Sequence, residues 1–353
     1  MPAGIRFTRD EKTTGYASSV QSRSILGGLL AIQTGAVPPA QIPALLGGLA
    51  TPGAVNLPAG VLPLFGLTAQ PTANNGDFSY GDLEDDGVTW RLTARYALSD
   101  DANLYANYAR GRRPKVLAQA GPSAPGGAVT FKEVDAGSVG SFEVGAQAAQ
   151  MDGTLRLDRT VFLYNYENFQ TTVQDGVQFV VTNAGKAEAY GFEGQAVWAV
   201  GDQVEVFGTY SYNHSRFKAG IYDGNRLRLS PDHRASIGVN WTLPVAGGSL
   251  RVQPTYSWQS EVFFDDDNDR TDLQARNLVP DLIVDEVQDS YGLLNLRLRY
   301  APDGGAWSVE AFADNLLDEQ FIKDAGNTGD ALGMPTFIAG EPRTVGVVFG
   351  VKY

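Results

Sequence analysis

From residue 88 onward, apolar and polar residues alternate with a period of two, the spacing that sets one face of a β-strand against the other. Ala235, Ile237, Val239, Trp241 and Leu243 stand opposite Ser236, Gly238, Asn240 and Thr242. Leu250, Val252, Pro254, Tyr256 and Trp258 alternate with Arg251, Gln253, Thr255 and Ser257, and Leu294, Leu296, Leu298 and Tyr300 with Asn295, Arg297 and Arg299. The final stretch sets Val345, Val347, Phe349, Val351 and Tyr353 against Thr344, Gly346, Gly350 and Lys352. Leu92, Ala94, Tyr96 and Leu98 oppose Arg91, Thr93 and Arg95, while Val204, Val206, Tyr210 and Tyr212 oppose Glu205, Thr209 and Ser211. One stretch is ambiguous. Leu155 and Leu157 share one parity and Phe162, Tyr164 and Tyr166 the other, so Leu155 to Tyr166 reads as a strand without an assigned face.

The connections alternate in kind. Short polar turns fall at Ser99 to Ala102, Gln150 to Gly153, Val200 to Asp202, Pro244 to Gly248 and Pro302 to Gly305. Between them lie long polar or Gly/Pro-rich connections at about 113–138, 173–185, 218–231, 264–289 and 316–340. A soluble sandwich has no reason to sort its loops this way, but a transmembrane β-barrel does, with short periplasmic turns and long extracellular loops. The predicted architecture is therefore all-β: a transmembrane, antiparallel, up-and-down β-barrel. Taking residues 3–16 as the first strand, twelve are expected, the others at about 88–98, 103–112, 139–149, 154–172, 186–199, 203–217, 232–243, 249–263, 290–301, 306–315 and 341–353. An even number puts the C-terminus on the short-turn side. Residues 17–87, with six prolines between Pro38 and Pro63 and an acidic end at Glu84, Asp85 and Asp86, are expected to form one long extracellular loop within the barrel domain, with room for a short helix or two.

Aromatic placement agrees. Trp198, Trp241 and Tyr300 precede short turns, Trp307 follows one and Tyr353 ends the chain. Amphipathic rings collect at a membrane interface, so these five are the expected girdle. Core aromatics of a soluble sheet would not gather at one end.

Composition narrows the function. The chain has 353 residues, 27 basic against 40 acidic (net charge −13), two histidines and no cysteine. The acidic balance argues against a nucleic-acid partner. Without cysteine there is no disulfide scaffold, thiolate metal site or Cys nucleophile. The apolar run Ile25 to Ile32 is far below the roughly 18 to 20 residues of a spanning helix. Residues 1–6 show no basic region followed by an apolar one, so no secretory signal is expected there.

The stretch Phe142 to Phe217, with "FEVGAQAAQMDGTLRLDRTVFLYNYENFQTTV" and "VTNAGKAEAYGFEGQAVWAVGDQVEVFGTYSYNHSRF", resembles the C-terminal half of a TonB-dependent outer-membrane receptor. "LYANYARGRRP" precedes it, and "RLRLSPDHRASIGVNWTLP", "SYGLLNLRLRYAP", "WSVEAFADNLLDEQF" and "PRTVGVVFGVKY" follow in the family's order. The ordered set runs from Leu104 to the aromatic terminal residue Tyr353. The resemblance implies part of a 22-stranded barrel filled by a plug, set in the outer membrane of a Gram-negative bacterium. It implies outer-membrane lipid around the strands and the TonB complex as a partner, reached through a plug and TonB box not recognised in this sequence. It also implies a small-molecule ligand, most often a ferric siderophore, and a terminal strand read by the barrel-assembly machinery. Neither an enzymatic activity nor a cofactor is implied.

Within that frame, Arg110, Arg112 and Arg113 sit at the outward end of a strand, where guanidinium groups could meet an anionic ligand such as an iron chelate. They could equally pair with acidic lipid headgroups or nearby carboxylates. His214 and Arg216 end another strand and complete the candidate ligand set. Arg251, Gln253, Arg297, Arg299, Glu205 and Glu310 lie on polar faces and are expected toward the lumen or plug. Two histidines make no metal site, and His214 and Ser215 point to opposite faces, so they form no dyad. Asp265, Asp266, Asp267, Asn268 and Asp269 resemble a calcium loop, but Arg270 and Arg276 stand where a turn glycine and a distal Glu belong, favouring a solvated acidic loop. Three rivals remain: a closed twelve-stranded passive porin with residues 3–16 paired to 341–353, a barrel enzyme with His214 among carboxylates, and a soluble β-protein whose apolar faces meet.

Overall fold

Each alternating segment folds as a strand and stops where its turn residues reverse it. At the tight end Met151, Asp152 and Gly153 all take left-handed backbone angles, as do Gly247 and Gly305 in two other turns, conformations that Gly and Asp tolerate at little cost. The structure, a computed structural model, describes residues 2–18, 37–43, 72–122, 127–175, 178–274, 282–326 and 334–352.

The strands are β1 (Ala3–Tyr16), β2 (Ser79–Ser99), β3 (Ala102–Arg113), β4 (Val116–Ala120), β5 (Thr130–Val134), β6 (Gly137–Gln150) and β7 (Leu155–Glu167). There follow β8 (Gln170–Asp175), β9 (Gln178–Asn183), β10 (Lys186–Ala199), β11 (Val204–Ala219), β12 (His233–Val245), β13 (Gly248–Gln259) and β14 (Val262–Phe263). The last are β15 (Val287–Gln288), β16 (Tyr291–Pro302), β17 (Trp307–Asp314), β18 (Ile322–Asp324), β19 (Ile338–Ala339) and β20 (Thr344–Val351). Twelve form one antiparallel sheet in the order β1-β2-β3-β6-β7-β10-β11-β12-β13-β16-β17-β20, so every neighbour in the sheet is the next long strand in sequence. This is the up-and-down meander the turn pattern predicts.

Because side chains alternate across a strand, the register sorts them into two continuous faces. One row runs Leu157, Ala196, Gly208, Ile237, Tyr256 and Leu294 across successive strands. Ile237 is 56% exposed and Val347 71%. Large side chains this open do not meet in a dry centre, which removes the soluble sandwich. The other face carries the polar partners. β1 pairs with β2 alone and β20 with β17 alone among the described residues. The sheet is open, and residues 3–16 do not meet the last strand as a closed twelve-stranded porin requires.

Three boundaries differ from expectation. β2 starts at Ser79, not near 88, and its acidic first half pairs with β1 from Thr8 to Tyr16; the long connection ends that much earlier. The expected strand 154–172 breaks at Asn168, whose φ is 52°, and the chain then turns into the β8–β9 hairpin. The strand expected to reach 263 ends at Gln259, with β14 pairing separately to β15. Two further loop hairpins, β4–β5 and β18–β19, lie at the same elaborate end. Of the long connection before β2, short 3-10 turns are described at Pro39–Gln41 and Ala73–Asn75. An apolar cluster sits at the base of the loops, where Ala184, Ala187 and Phe217 are buried against Tyr166, Phe169, Tyr222 and Leu227.

Candidate functional site

The polar face is a hydrogen-bonded wall. The Tyr164 hydroxyl donates to Glu143 at 2.6 Å, Asn107 donates to the same carboxylate at 3.3 Å, and Asn240 donates to Glu205 at 2.8 Å. Arg297 donates to Asp314 at 2.6 Å with Glu310 4.0 Å away, while Arg299 reaches Ser308 at 3.4 Å. Register pairs Arg251 with Arg299, Gln253 with Arg297 and Arg299 with Glu310, so the six polar residues singled out in the sequence share this face. Higher on the same wall is a recess of about 640 Å³, lined among others by Glu193, Gln195, Ser211, Arg234, Gln259 and Tyr291. Arg234 is exposed and forms no ion pair among the described residues. Reasoning from the sequence missed it. The available signal was parity, since Arg234 shares its face with Ser236 and Gly238.

The five candidate ligand residues are not brought together. Arg112 lies over Gly87 and pairs with Asp85. Arg113 donates to the Gln170 carbonyl at 3.0 Å, where Gln170 also donates to the carbonyls of Pro114 and Asp135. Arg216 forks onto Asp232 at 3.2 and 3.1 Å. His214 packs on Tyr190 with ring centroids 4.9 Å apart, and it makes no hydrogen bond or ion pair with a carboxylate among the described residues. Arg110 is exposed directly across from Trp90 on the apolar face. Arg113 and Arg216 therefore fasten loops to strand ends, and Arg112 ties β3 to the extended half of β2.

The loop layer is held by buried polar groups. The hairpin β4–β5 folds back over β1 and β2, with Leu117 and Phe131 filling the space above Gly81. Thr171 donates to Asp266, and Asn225 donates to the carbonyls of Asp266 and Asp267 at 2.9 and 2.8 Å. Asp269 accepts from the backbone N–H groups of Asp285 and Glu286 at 2.6 and 2.9 Å and from Gln274 at 3.2 Å. This corrects the solvated-loop expectation: Asp266 is 5% exposed and Asp269 2%, because their oxygens take the place of water for loop donors. No group of three or more potential ligands with metal-site geometry occurs among the described residues. Burial pushes the Asp265 carboxyl up, with Arg228 opposing. For Asp232 burial also pushes up, but Arg216 and Arg226 outweigh it and hold the carboxyl below its ordinary value.

At the tight end Trp198, Trp241 and Trp307 project from the apolar face, each about two-fifths exposed. The Tyr300 and Trp307 rings lie 5.5 Å apart. Tyr353 lies outside the described residues.

A family model described as "TonB dependent receptor-like, beta-barrel" matches residues 58–316. The pesticin receptor of Yersinia pestis is 26% identical over 246 residues, covering 68% of this chain and 33% of that protein. The catecholate siderophore receptor Fiu of Escherichia coli K12 is 26% identical over 190 residues, covering 51% and 23%. Among solved structures, the ferric yersiniabactin uptake receptor FyuA from Yersinia pestis superposes with a TM-score of 0.64 over 79% of this chain and 39% of that one, at 22% identity. The closed form of Fiu gives 0.59 over 98% and 41%, at 18% identity. At such identities the structural likeness speaks for the fold. The chain spans a third or less of the length of these two curated relatives.

Proposed function

Since the chain belongs to the TonB-dependent receptor family of β-barrels, we propose that it serves as a segment of an outer-membrane receptor for a scarce ligand, and that the ligand class is a ferric siderophore. The family is one of receptors and transporters, not enzymes. The observation that carries the reading is the two-faced sheet, mainly apolar on one side and mainly polar on the other across its twelve strands. A relative described as a catecholate siderophore receptor supplies the ligand class. Trp198, Trp241, Tyr300 and Trp307 would sit at the periplasmic interface. Glu205, Arg251, Gln253, Arg297, Arg299 and Glu310 would meet water or a plug. In this proposal the TonB complex energises release through the plug, and β20 is read by the barrel-assembly machinery.

A ferric siderophore presents anionic oxygens and apolar rings. On the polar wall Arg234 supplies an uncommitted guanidinium, with Gln259 and Tyr291 beside it in the recess. It therefore replaces Arg112, Arg113 and Arg216, already committed to protein oxygens, as the proposed ligand cation. The full chain in detergent micelles is titrated with a ferric tris-catecholate, following tryptophan quenching. Arg234→Gln is expected to weaken binding about tenfold or more, the worth of one charge-assisted hydrogen bond, while Arg110→Gln leaves it unchanged. Equal affinity for all three proteins would remove Arg234 from the site, and no saturable binding would count against the siderophore reading.

A further inference from the structure

The reverse side of the strands that form the recess carries a second concavity. A groove of about 440 Å³ crosses the apolar face of β7, β10, β11 and β12. Gly194, Ala196 and Gly208 floor it, and Phe192, Tyr210 and Ile237 stand along it. Trp198 closes it toward the short turns; Arg159 lines it directly across from Gly194. Arg159 shares its face with Leu157, Val161 and Leu163, whereas its strand neighbours Asp158 and Thr160 belong to the polar wall. It is exposed and has no hydrogen bond or ion pair among the described residues.

An uncompensated guanidinium is costly on a strand face that meets hydrocarbon. Arg159 lies four residues into the strand, roughly 10 Å along the barrel axis from Leu155 at a rise of ~3.3 Å per residue and a tilt of ~40°. Its stem can carry the charge toward the interface, and among the described residues it is paired with no protein anion. The surroundings must supply one. An apolar trough with a single cation at its side matches an amphiphile with a single anion, and a guanidinium can fork onto phosphate oxygens.

We propose that this groove binds one anionic phospholipid of the periplasmic leaflet, an acyl chain lying along Gly194, Ala196 and Gly208 and the phosphate resting on Arg159. The proposal rests on the barrel reading above, because it needs the apolar face to meet lipid. Gly194 and Gly208 matter here as absences of bulk: a Cβ on Gly194 would stand 3.1 Å from the Phe192 ring, and one on Gly208 3.1 Å from the Ser236 carbonyl.

The test places the full chain in phosphatidylcholine nanodiscs with a minor fraction of brominated phosphatidylglycerol or, in parallel, brominated phosphatidylcholine. The signal of Trp198, which lines the groove, is taken as the difference between the native chain and Trp198→Phe. Brominated phosphatidylglycerol is expected to quench Trp198 about fivefold more effectively at equal fraction, the factor one basic residue supplies at an anionic surface. Arg159→Gln should abolish that preference. Arg156→Gln, the same charge change on the opposite face, should keep it. Ala196→Leu, which fills the floor, should reduce quenching by the anionic lipid without affecting bulk tryptophan quenching. Equal quenching by the two lipids in the native chain overturns the proposal while leaving the strands in the bilayer. Quenching by neither lipid overturns the membrane reading itself.

Discussion

The phenyl ring of Phe207 on β11 lies across Gly238 on β12, so close that a methyl group on the glycine would overlap it. Both belong to the polar face. Phe162 over Gly191 and Phe312 over Gly346 repeat the arrangement: a Cβ on either glycine would stand only 2.8 or 2.6 Å from the ring. An aromatic ring on a polar wall is thereby folded down onto bare backbone, which hides apolar area and restores packing that a strand glycine lacks. Gly238→Ala is expected to cost about 1–3 kcal/mol through overpacking. Combining it with Phe207→Ala should recover part of the loss, because residues in contact do not behave additively. Urea unfolding of the chain from lipid vesicles measures both; a silent Gly238→Ala would show that the ring lies elsewhere.

Adjacent residues on β12 offer the sharpest test of the faces. Ile237 is 56% exposed on the apolar side, and Ser236 on the polar side shares a 2.8 Å hydrogen bond with Thr209. A cation facing lipid costs ~2–4 kcal/mol near the bilayer midplane and little toward a wet lumen. Ile237→Arg is therefore expected to lower stability in vesicles by about 2 kcal/mol or more, and Ser236→Arg by under about 1 kcal/mol. The reverse order, read from the same unfolding curves, would turn the sheet inside out.

Strand positions and faces were legible because period-two alternation is a local signal with one dominant cause, burial or lipid contact on one side. The face of β7 was not. Phe162, Tyr164 and Tyr166 break the alternation, and each does so for a partner on another strand or loop: Gly191, the Glu143 carboxylate and the Phe217 cluster. The start of β2 was hidden for a related reason. Its sequence from Ser79 to Gly87 is rich in Asp and Gly, which disfavour strands in isolation, yet β1 supplies a pairing edge along that length. The basic residues were seen but misgrouped. Sequence proximity placed Arg110, Arg112 and Arg113 in one cluster; strand parity and the neighbouring loops sent them to three different environments. Arg234, flanked by His233 and Ala235, offered no cluster to notice.

Asp232, just before β12, gives the loops a pH dependence of definite sign. Arg216 donates to it twice, at 3.2 and 3.1 Å, and Arg226 adds a contact at 3.2 Å while pairing with Glu261 at 2.9 Å. Burial raises the carboxyl, but the arginines outweigh it, so the folded value lies below the ordinary 3.8. An unfolded chain then takes up the proton first on acidification. The stabilisation is complete above the ordinary value and is lost as pH falls through the lower, folded one. Asp265, raised chiefly by burial, works in the opposite direction, and substituting Asp232 alone separates the two. Gly224 and Asn225 report the effect, since their amides donate to the carbonyls of Phe217 at the end of β11 and Tyr222 in the loop. Amide exchange at both should stay flat between about pH 5 and 8 once corrected for intrinsic rates, and should accelerate in stronger acid. Asp232→Asn should raise exchange at neutral pH by about 1–3 kcal/mol of lost protection, leaving the two guanidinium groups without their shared carboxylate. Its exchange should no longer quicken in acid. Unchanged protection in Asp232→Asn at neutral pH would mean that the loop is held without this carboxylate.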